Sequence, residues 1–296
     1  MKTILLASAL ASGGSERGCW RAPRALIPWK PRLRTYERSV QPRPWPDQAA
    51  IALSAAGSLH RRAALLRRSG GRPLLIGGDH SEAIGFWSGI AAVCGHSLGM
   101  IWIDAHLDSH TPASSASQRL HGMPLAVLLG QGDQRWRPLL GERAIFSPAH
   151  TTIIAYRSYE EAEYTLLTRL GVTLISADEL RRRGWPAVWR AARRRARQGD
   201  HAYGVSLDLD ALSPHCAPGV SVPVPGGLDV AHLWPSWRQL GHDRHCKGLE
   251  IAEFNPAHDR RGRTQTLLRR LIAEHVPRRR MHREDAHERA CLLPTF

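Results

Sequence analysis

Four short stretches of this 296-residue chain place acids and histidines at the ends of apolar runs. They are GGDHS with Asp79 and His80, IWIDAHLDSH with Asp104, His106 and Asp108, SLDLD with Asp208 and Asp210, and EIAEF with Glu250 and Glu253. In an extended chain residues i, i+2 and i+4 face one way. Asp104, His106 and Asp108 are therefore expected to converge just past a buried strand, and Asp208 and Asp210 repeat that spacing. Crowded carboxylates repel and resist burial, and a cation removes the penalty. With His80, the set offers two imidazoles and four carboxylates, enough to hold two divalent metals through shared carboxylates. Oxygen and imidazole ligands without thiolate favour Mn²⁺ or a similar ion over structural zinc. Asp79 reads as a brace for the Gly-rich turn, and Glu250 as structural.

The elements that must position these groups alternate along the chain. Strands are expected at 3–7, 73–77, 98–104, 151–156, 172–176, 202–210 and 248–254. LGMIWID is near-continuously apolar, as expected when both faces of a sheet are covered. Helices are expected from Asp47 as N-cap to about Arg68, with Gly70 as stop, and from Ser81 as cap to about Cys94. A Ser158/Glu161 capping box opens another. Further helices follow through DELRRR, from Pro186 to about Gln198, and through LLRRLI. Residues 20–46, rich in proline, read as an extended surface segment. Strand–helix alternation implies an α/β fold, one parallel sheet with helices on both faces. No internal repeat or linker divides it, so residues 1–296 read as a single domain. In such sheets ligands bind at the carboxyl ends of the strands.

The formal net charge of +15 invites a nucleic-acid reading, but its distribution argues otherwise. Residues 1–72 carry +11, residues 73–256 carry −1 and residues 257–296 carry +5. The arginine runs Arg181–Arg183 and Arg193–Arg195 fall on predicted helices without interleaved aromatics, so a solvated helix face is expected and no nucleic-acid partner. No apolar run approaches the ~18–20 residues of a membrane span. Five scattered cysteines match no zinc or disulfide spacing and suggest a reduced, cytoplasmic protein. The N-terminal MKTILLASALASGG mimics a signal peptide, but reads better as a first buried strand.

GGDHS, DAHLD with HGMP after it, SLDLDAL followed by APGVSVPVPGGL, and EIAEFNP together resemble the ureohydrolase (arginase/agmatinase) family. The resemblance spans residues 73–262 with the motifs in family order; the basic tail 277–296 lies beyond it. It implies a three-layer α/β/α fold around an eight-stranded, mainly parallel sheet. It also implies two Mn²⁺ ions per subunit and homo-oligomers, trimers or hexamers. One metal would be held by His80, Asp104, Asp108 and Asp208, the other by His106, Asp104, Asp208 and Asp210. A metal-bridging hydroxide would attack the guanidinium carbon, with Asp210 accepting a proton. His121, in LHGMP, takes the position of the proton shuttle, and Glu253 that of the carboxylate pairing with the guanidinium.

The loop SHTPASSASQRL at 109–120 takes the place where arginases read the substrate's α-carboxylate, with DSHTP resembling a bacterial arginase-like subgroup. His110, Ser117 and Arg119 fall at those positions. Glu160 and Glu163, one helical turn apart, match the acids that meet the α-amino group. Donors for a carboxylate beside acids for an amine imply an α-amino acid. The expected reaction is therefore hydrolysis of L-arginine to L-ornithine and urea. Agmatinase, formimidoylglutamase or another guanidino-acid hydrolase is the alternative; an Arg-rich nucleic-acid-binding or inert-fold interaction protein belongs to another class. Ser213-Pro214 and the loop Gly219-Val220-Ser221-Val222-Pro223 depart from the family's usual Asp-Pro and G-T-G-T-P.

Overall fold

The computed structural model describes residues 1–8, 18–19, 21–22, 34–35, 45–198 and 202–276. The tail 277–296 and most of the proline-rich stretch lie outside them. Strands β1 (Thr3–Ser8), β2 (Arg34–Thr35), β3 (Arg72–Ile76), β4 (Leu98–Ile103), β5 (Phe146–Tyr156), β6 (Thr173–Ser176), β7 (Tyr203–Asp208) and β8 (Cys246–Ala252) form one sheet. Its order is β2-β1-β3-β8-β7-β4-β5-β6, and every pairing is parallel. The eighth strand, β2, is two residues long and lay in no apolar run, so its sequence carried no strand signal. The N-terminal apolar run is β1, paired along β3.

The helices are α1 (Trp45–Arg68), α2 (Ala83–Cys94), α3 (Pro124–Ala126), α4 (Arg137–Leu140), α5 (Glu161–Leu170), α6 (Ala177–Arg183), α7 (Trp185–Ala196), α8 (Val230–Leu240) and α9 (Arg263–Ala273). Alternation along each strand sorts the core into two faces. Leu75, Met100, Trp102 and Ile153 pack with Leu59, Trp87 and Leu167 from α1, α2 and α5. Leu74, Ile101, Ile154 and Leu249 pack with Leu180, Trp189, Trp237 and Leu268 from α6 to α9. Helices therefore cover both faces of the sheet, giving three α/β/α layers. Each fully buried Leu or Ile contributes about 2 kcal/mol. No helix among the described residues is long and apolar enough to cross a membrane.

Three cap expectations change. Helix α1 starts at Trp45, two residues before Asp47, with a proline in its first turn where no N–H is needed. Asp79 rather than Ser81 caps the turn into α2: its Oδ1 accepts from Ser81 N at 3.0 Å, through the short 3₁₀ turn His80–Glu82. The box at α5 uses Glu160 and Glu163, not Ser158 and Glu161, and Glu163 Oε2 accepts from Glu160 N at 3.0 Å. Helix α8 carried no clear signal because Pro235 interrupts it.

Candidate metal centre and substrate pocket

Four central strands deliver the acids. β3 ends at Ile76 and leads into Asp79 and His80; β4 ends just before Asp104; β7 ends on Asp208; β8 ends just before Glu253. These strands are neighbours in the order β3-β8-β7-β4, so segments distant in sequence meet at one carboxyl edge. His80 Nδ1 lies 3.3 Å from Asp104 Oδ2, 3.0 Å from Asp108 Oδ2 and 3.0 Å from Asp208 Oδ2. His106 Nδ1 lies 3.1 Å from Asp210 Oδ2 and 3.6 Å from Asp104 Oδ1. Two groups able to hold a cation result: His80, Asp104 and Asp208; and Asp104, His106 and Asp210. Asp104 belongs to both.

Simple strand alternation does not bring these side chains together. β4 stops at Ile103, and Asp108 takes a left-handed backbone with φ 47°. That turn sends Asp108 to His80, while His106 goes to Asp210. Asp210 sits in the 3₁₀ turn Leu209–Ala211, where its N donates to Asp208 Oδ1 at 2.8 Å. Backbone donors fix the other carboxylates too: His106 N to Asp104 Oδ1 at 2.7 Å, and Ala105 N to Asp210 Oδ1 at 3.2 Å.

The donor set fits a divalent cation. His80 Nδ1 is buried and makes no hydrogen bond, although three carboxylate oxygens face it. Its other nitrogen, Nε2, is 2.9 Å from Ser206 Oγ, and Ser206 Oγ donates to Glu250 Oε2 at 2.9 Å. With the serine proton committed to Glu250, Nε2–H donates to Ser206 and Nδ1 keeps its lone pair for a metal. Trp87 Nε1 donates to the same Glu250 oxygen at 2.6 Å. Gly204 makes room for that indole, since a Cβ there would collide with the Trp87 ring, and a Cβ on Gly248 would collide with Ile90 beside it. Trp102 stacks on His80 at 4.2 Å between ring centroids and donates from Nε1 to Asp104 Oδ2 at 2.9 Å. Burial first, and repulsion from Asp104 second, push Asp108 and Asp208 each up to about 7. A cation reverses that preference for the neutral acid.

Above the acids lies a cavity of about 300 Å³. His106, Asp108, Asp208 and Asp210 form its floor, and His110, Ser117, Arg119, His121, Glu160, Glu163 and Glu253 line the rest. His121 Nδ1 is 3.4 Å from Glu253 Oε1, which also accepts from His80 N at 2.9 Å. Burial opposes charge on His121, but the Glu253 carboxylate outweighs it and raises the imidazole's pKa. Burial likewise disfavours the Glu253 carboxylate, and His121 overrides it to hold the acid low. Glu253 has φ 63°, a strained backbone for a non-glycine residue.

The two amine-reading candidates differ. Glu163 is buried and already accepts from Ser109 N at 3.1 Å as well as from Glu160 N, so it ties the 109–120 loop to α5. Glu160 is exposed into the cavity. His110 Nε2 stands 3.4 Å from Glu163 Oε2 and 3.6 Å from Glu160 Oε1. Ser117 and Arg119 stay exposed at the mouth, with Arg119 N 3.4 Å from Ser117 Oγ.

Several contributors were not singled out from the sequence. Arg157 Nη2 donates to Asp210 O and Val224 O, each at 2.8 Å, and so clamps the loop behind Asp210. Cys19 Sγ lies 3.7 Å from Glu253 Oε2 and 3.4 Å from Ser221 Oγ. Burial raises that thiol's pKa, so it meets the acid as a neutral donor. The only available sign of Arg157 was its place just past the apolar run TTIIAY. Cys19 gave no sign at all.

Other proteins match this chain in sequence and in fold. A sequence profile of the arginase family matches residues 12–276. An arginase from Bacillus caldovelox is 35% identical over 200 residues, 68% of this chain and 67% of that one. An arginase from Agrobacterium fabrum is 31% identical and covers 93% of this chain and 90% of its own. The crystal structure of arginase from Bacillus subtilis superposes with a TM-score of 0.86, at 26% identity, over 95% of this chain and 100% of that one. With the profile spanning nearly all the described residues and the fold matching from end to end, the chain belongs to the arginase family.

Proposed function

We propose that the chain hydrolyses L-arginine to L-ornithine and urea with two Mn²⁺ ions. Membership of the family makes it a hydrolase of guanidino C–N bonds; the substrate and the metal are the finer reading. One observation carries it: a single cavity has members of both cation-holding groups on its floor, His121 and Glu253 beside them, and His110, Arg119 and Glu160 toward its mouth. His80, Asp104, Asp108 and Asp208 would hold one ion, and His106, Asp104, Asp208 and Asp210 the other. Bound by these residues, such ions would supply hydroxide near neutral pH by acidifying water.

The chain's own residues do the rest. Glu253 pairs with the guanidinium, as a planar cation calls for a carboxylate. Asp210 accepts the proton released by the nucleophile. His121, held protonated by Glu253, donates a proton to the leaving amine nitrogen. At the other end Arg119, Ser117 and His110 offer donors to an α-carboxylate, and Glu160 meets the α-amino group, with Glu163 holding both loop and helix in place. Agmatine has no carboxylate for those donors. One domain throughout, a trimeric or hexameric assembly and a cytoplasmic location go with this reading, and light scattering and cell fractionation check the last two.

The deciding experiment is a product screen of Mn²⁺-loaded protein against arginine, agmatine and formimidoylglutamate. Urea with ornithine is expected. Untouched arginine alongside formamide and glutamate, or urea and putrescine, would replace arginine by the corresponding substrate.

A further inference from the structure

A second cavity, about 970 Å³, lies away from the acidic one. It lies along α7 where that helix covers β5 and β6, and it shares no lining residue with the cavity above the acids. Thr152 in its wall sits four residues before the end of β5, so roughly 13 Å of strand separates it from the carboxyl edge.

Its chemistry is one-sided. Arg183, Arg190 and Arg193–Arg195 line it together with Arg197, and no carboxylate among the described residues does. Some of this charge is already used. Asp243 accepts from Arg193 Nε at 2.8 Å, and Glu179 lies 2.6 Å from Arg183 Nη1. Arg195 donates to Ala149 O at 2.8 Å, a contact that leaves its charge uncompensated. Arg190 and Arg194 pair with no acid among the described residues. Three polar atoms of lining residues are buried with no hydrogen-bond partner: Thr152 Oγ1, Trp189 Nε1 and Arg197 Nε, the last on a guanidinium whose Nη1 lies 3.9 Å from Asp243. Each can donate. Buried donors without acceptors are rare in folded proteins and point to a missing acceptor.

We infer that this groove binds a small polyanion carrying phosphate or sulfate groups. Planar guanidinium forks match the oxygens of such groups in pairs. The volume exceeds that of a single oxyanion, so the ligand carries more than one charged group or a bulky body between them. Carboxylates that would repel it are absent from the lining among the described residues, and buried Asp243 is engaged by Arg193 at 2.7 Å and Arg197 at 3.9 Å.

The test uses full-length, Mn²⁺-loaded protein and pyrene tetrasulfonate, a fluorescent tetra-anion that binds divalent cations too weakly to strip them. Saturable one-to-one binding is expected, displaced by inorganic phosphate but not by chloride at equal ionic strength. Arg190→Gln/Arg194→Gln should weaken it about tenfold or more, and Trp189→Phe, which keeps the ring and removes only the N–H, severalfold. Arg62→Gln/Arg68→Gln on the exposed face of α1 should leave it unchanged. Arginine hydrolysis by the Arg190→Gln/Arg194→Gln variant should match the parent, so a failed groove and a failed active site are told apart. Displacement by chloride as effective as by phosphate, or equal loss in the α1 control, would reduce the groove to diffuse charge and overturn the assignment.

Discussion

The carboxyl edge of the central strands and the arginine groove under α7 each gather like charges, and they tolerate them in opposite ways. At the edge, Asp104, Asp208 and Asp210 are almost wholly buried and fixed by backbone amides and by Trp102. Buried like charges cannot be screened by solvent. They require a cation, and their rigidity holds the ligands ready for it. Along α7, Arg190 and Arg194 are exposed, and water absorbs most of their repulsion. Rigid, buried acids make a site preformed for its ions; solvated arginines make one that is open and adaptable. The difference lies in depth and in backbone anchoring, not in the number of charges.

The largest break in that contrast should come from Asp104→Asn, since Asp104 serves both cation groups. Loss of arginine hydrolysis by about a thousandfold, with metal content falling in parallel by atomic absorption, is expected. His121→Asn comes next: turnover should drop by about a hundredfold or more with metal content intact. Unchanged turnover would remove the proton-transfer role. Ser206→Ala should weaken Mn²⁺ binding by about tenfold to a hundredfold, because His80 loses the partner that orients it. A chelator titration followed by metal analysis reads this directly.

The edge also predicts a pH signature. Asp108 and Asp208 have folded pKa values of about 7, above the unfolded value of 3.8. The folded chain without metal therefore binds more protons than the unfolded chain between about pH 4 and 7, and its stability falls as pH rises through that window. Thermal melts of chelator-treated protein should show a lower Tm at pH 8 than at pH 5.5, and Mn²⁺ should restore it at pH 8. A flat profile would mean the acids are not uncompensated in the metal-free chain. The smallest effect is expected in the groove: Arg190→Gln/Arg194→Gln should shift stability by no more than about 0.5 kcal/mol in urea melts, because solvated charges contribute little to folding.

Much of the site was legible because of where acids follow apolar runs. Buried parallel strands read as near-continuous hydrophobics, and a carboxylate directly after one must sit at the sheet's edge. That logic placed Asp104, Asp208 and Glu253 without any contact information. Asp108 does reach His80 beside Asp104, but through a left-handed turn rather than alternation, and the caps at α2 and α5 differ, where Asp79 and Glu160 compete with equally suitable neighbours Ser81 and Ser158. Glu250, read only as structural, turns out to steer His80 through Ser206.

Local pattern and composition alone determined the strands other than β2, the longer helices other than α8, the parallel α/β class and the list of candidate ligands. Each depends on spacing within a few residues, which the chain carries in its sequence. The pairing of His121 with Glu253 across 132 positions, the convergence of Asp108 and Asp208 on His80, the support from Cys19 and Arg157, and the gathering of arginines into one groove were decided only by the tertiary structure. Strand order β3-β8-β7-β4 makes those meetings, and periodicity carries no information on which strands become neighbours.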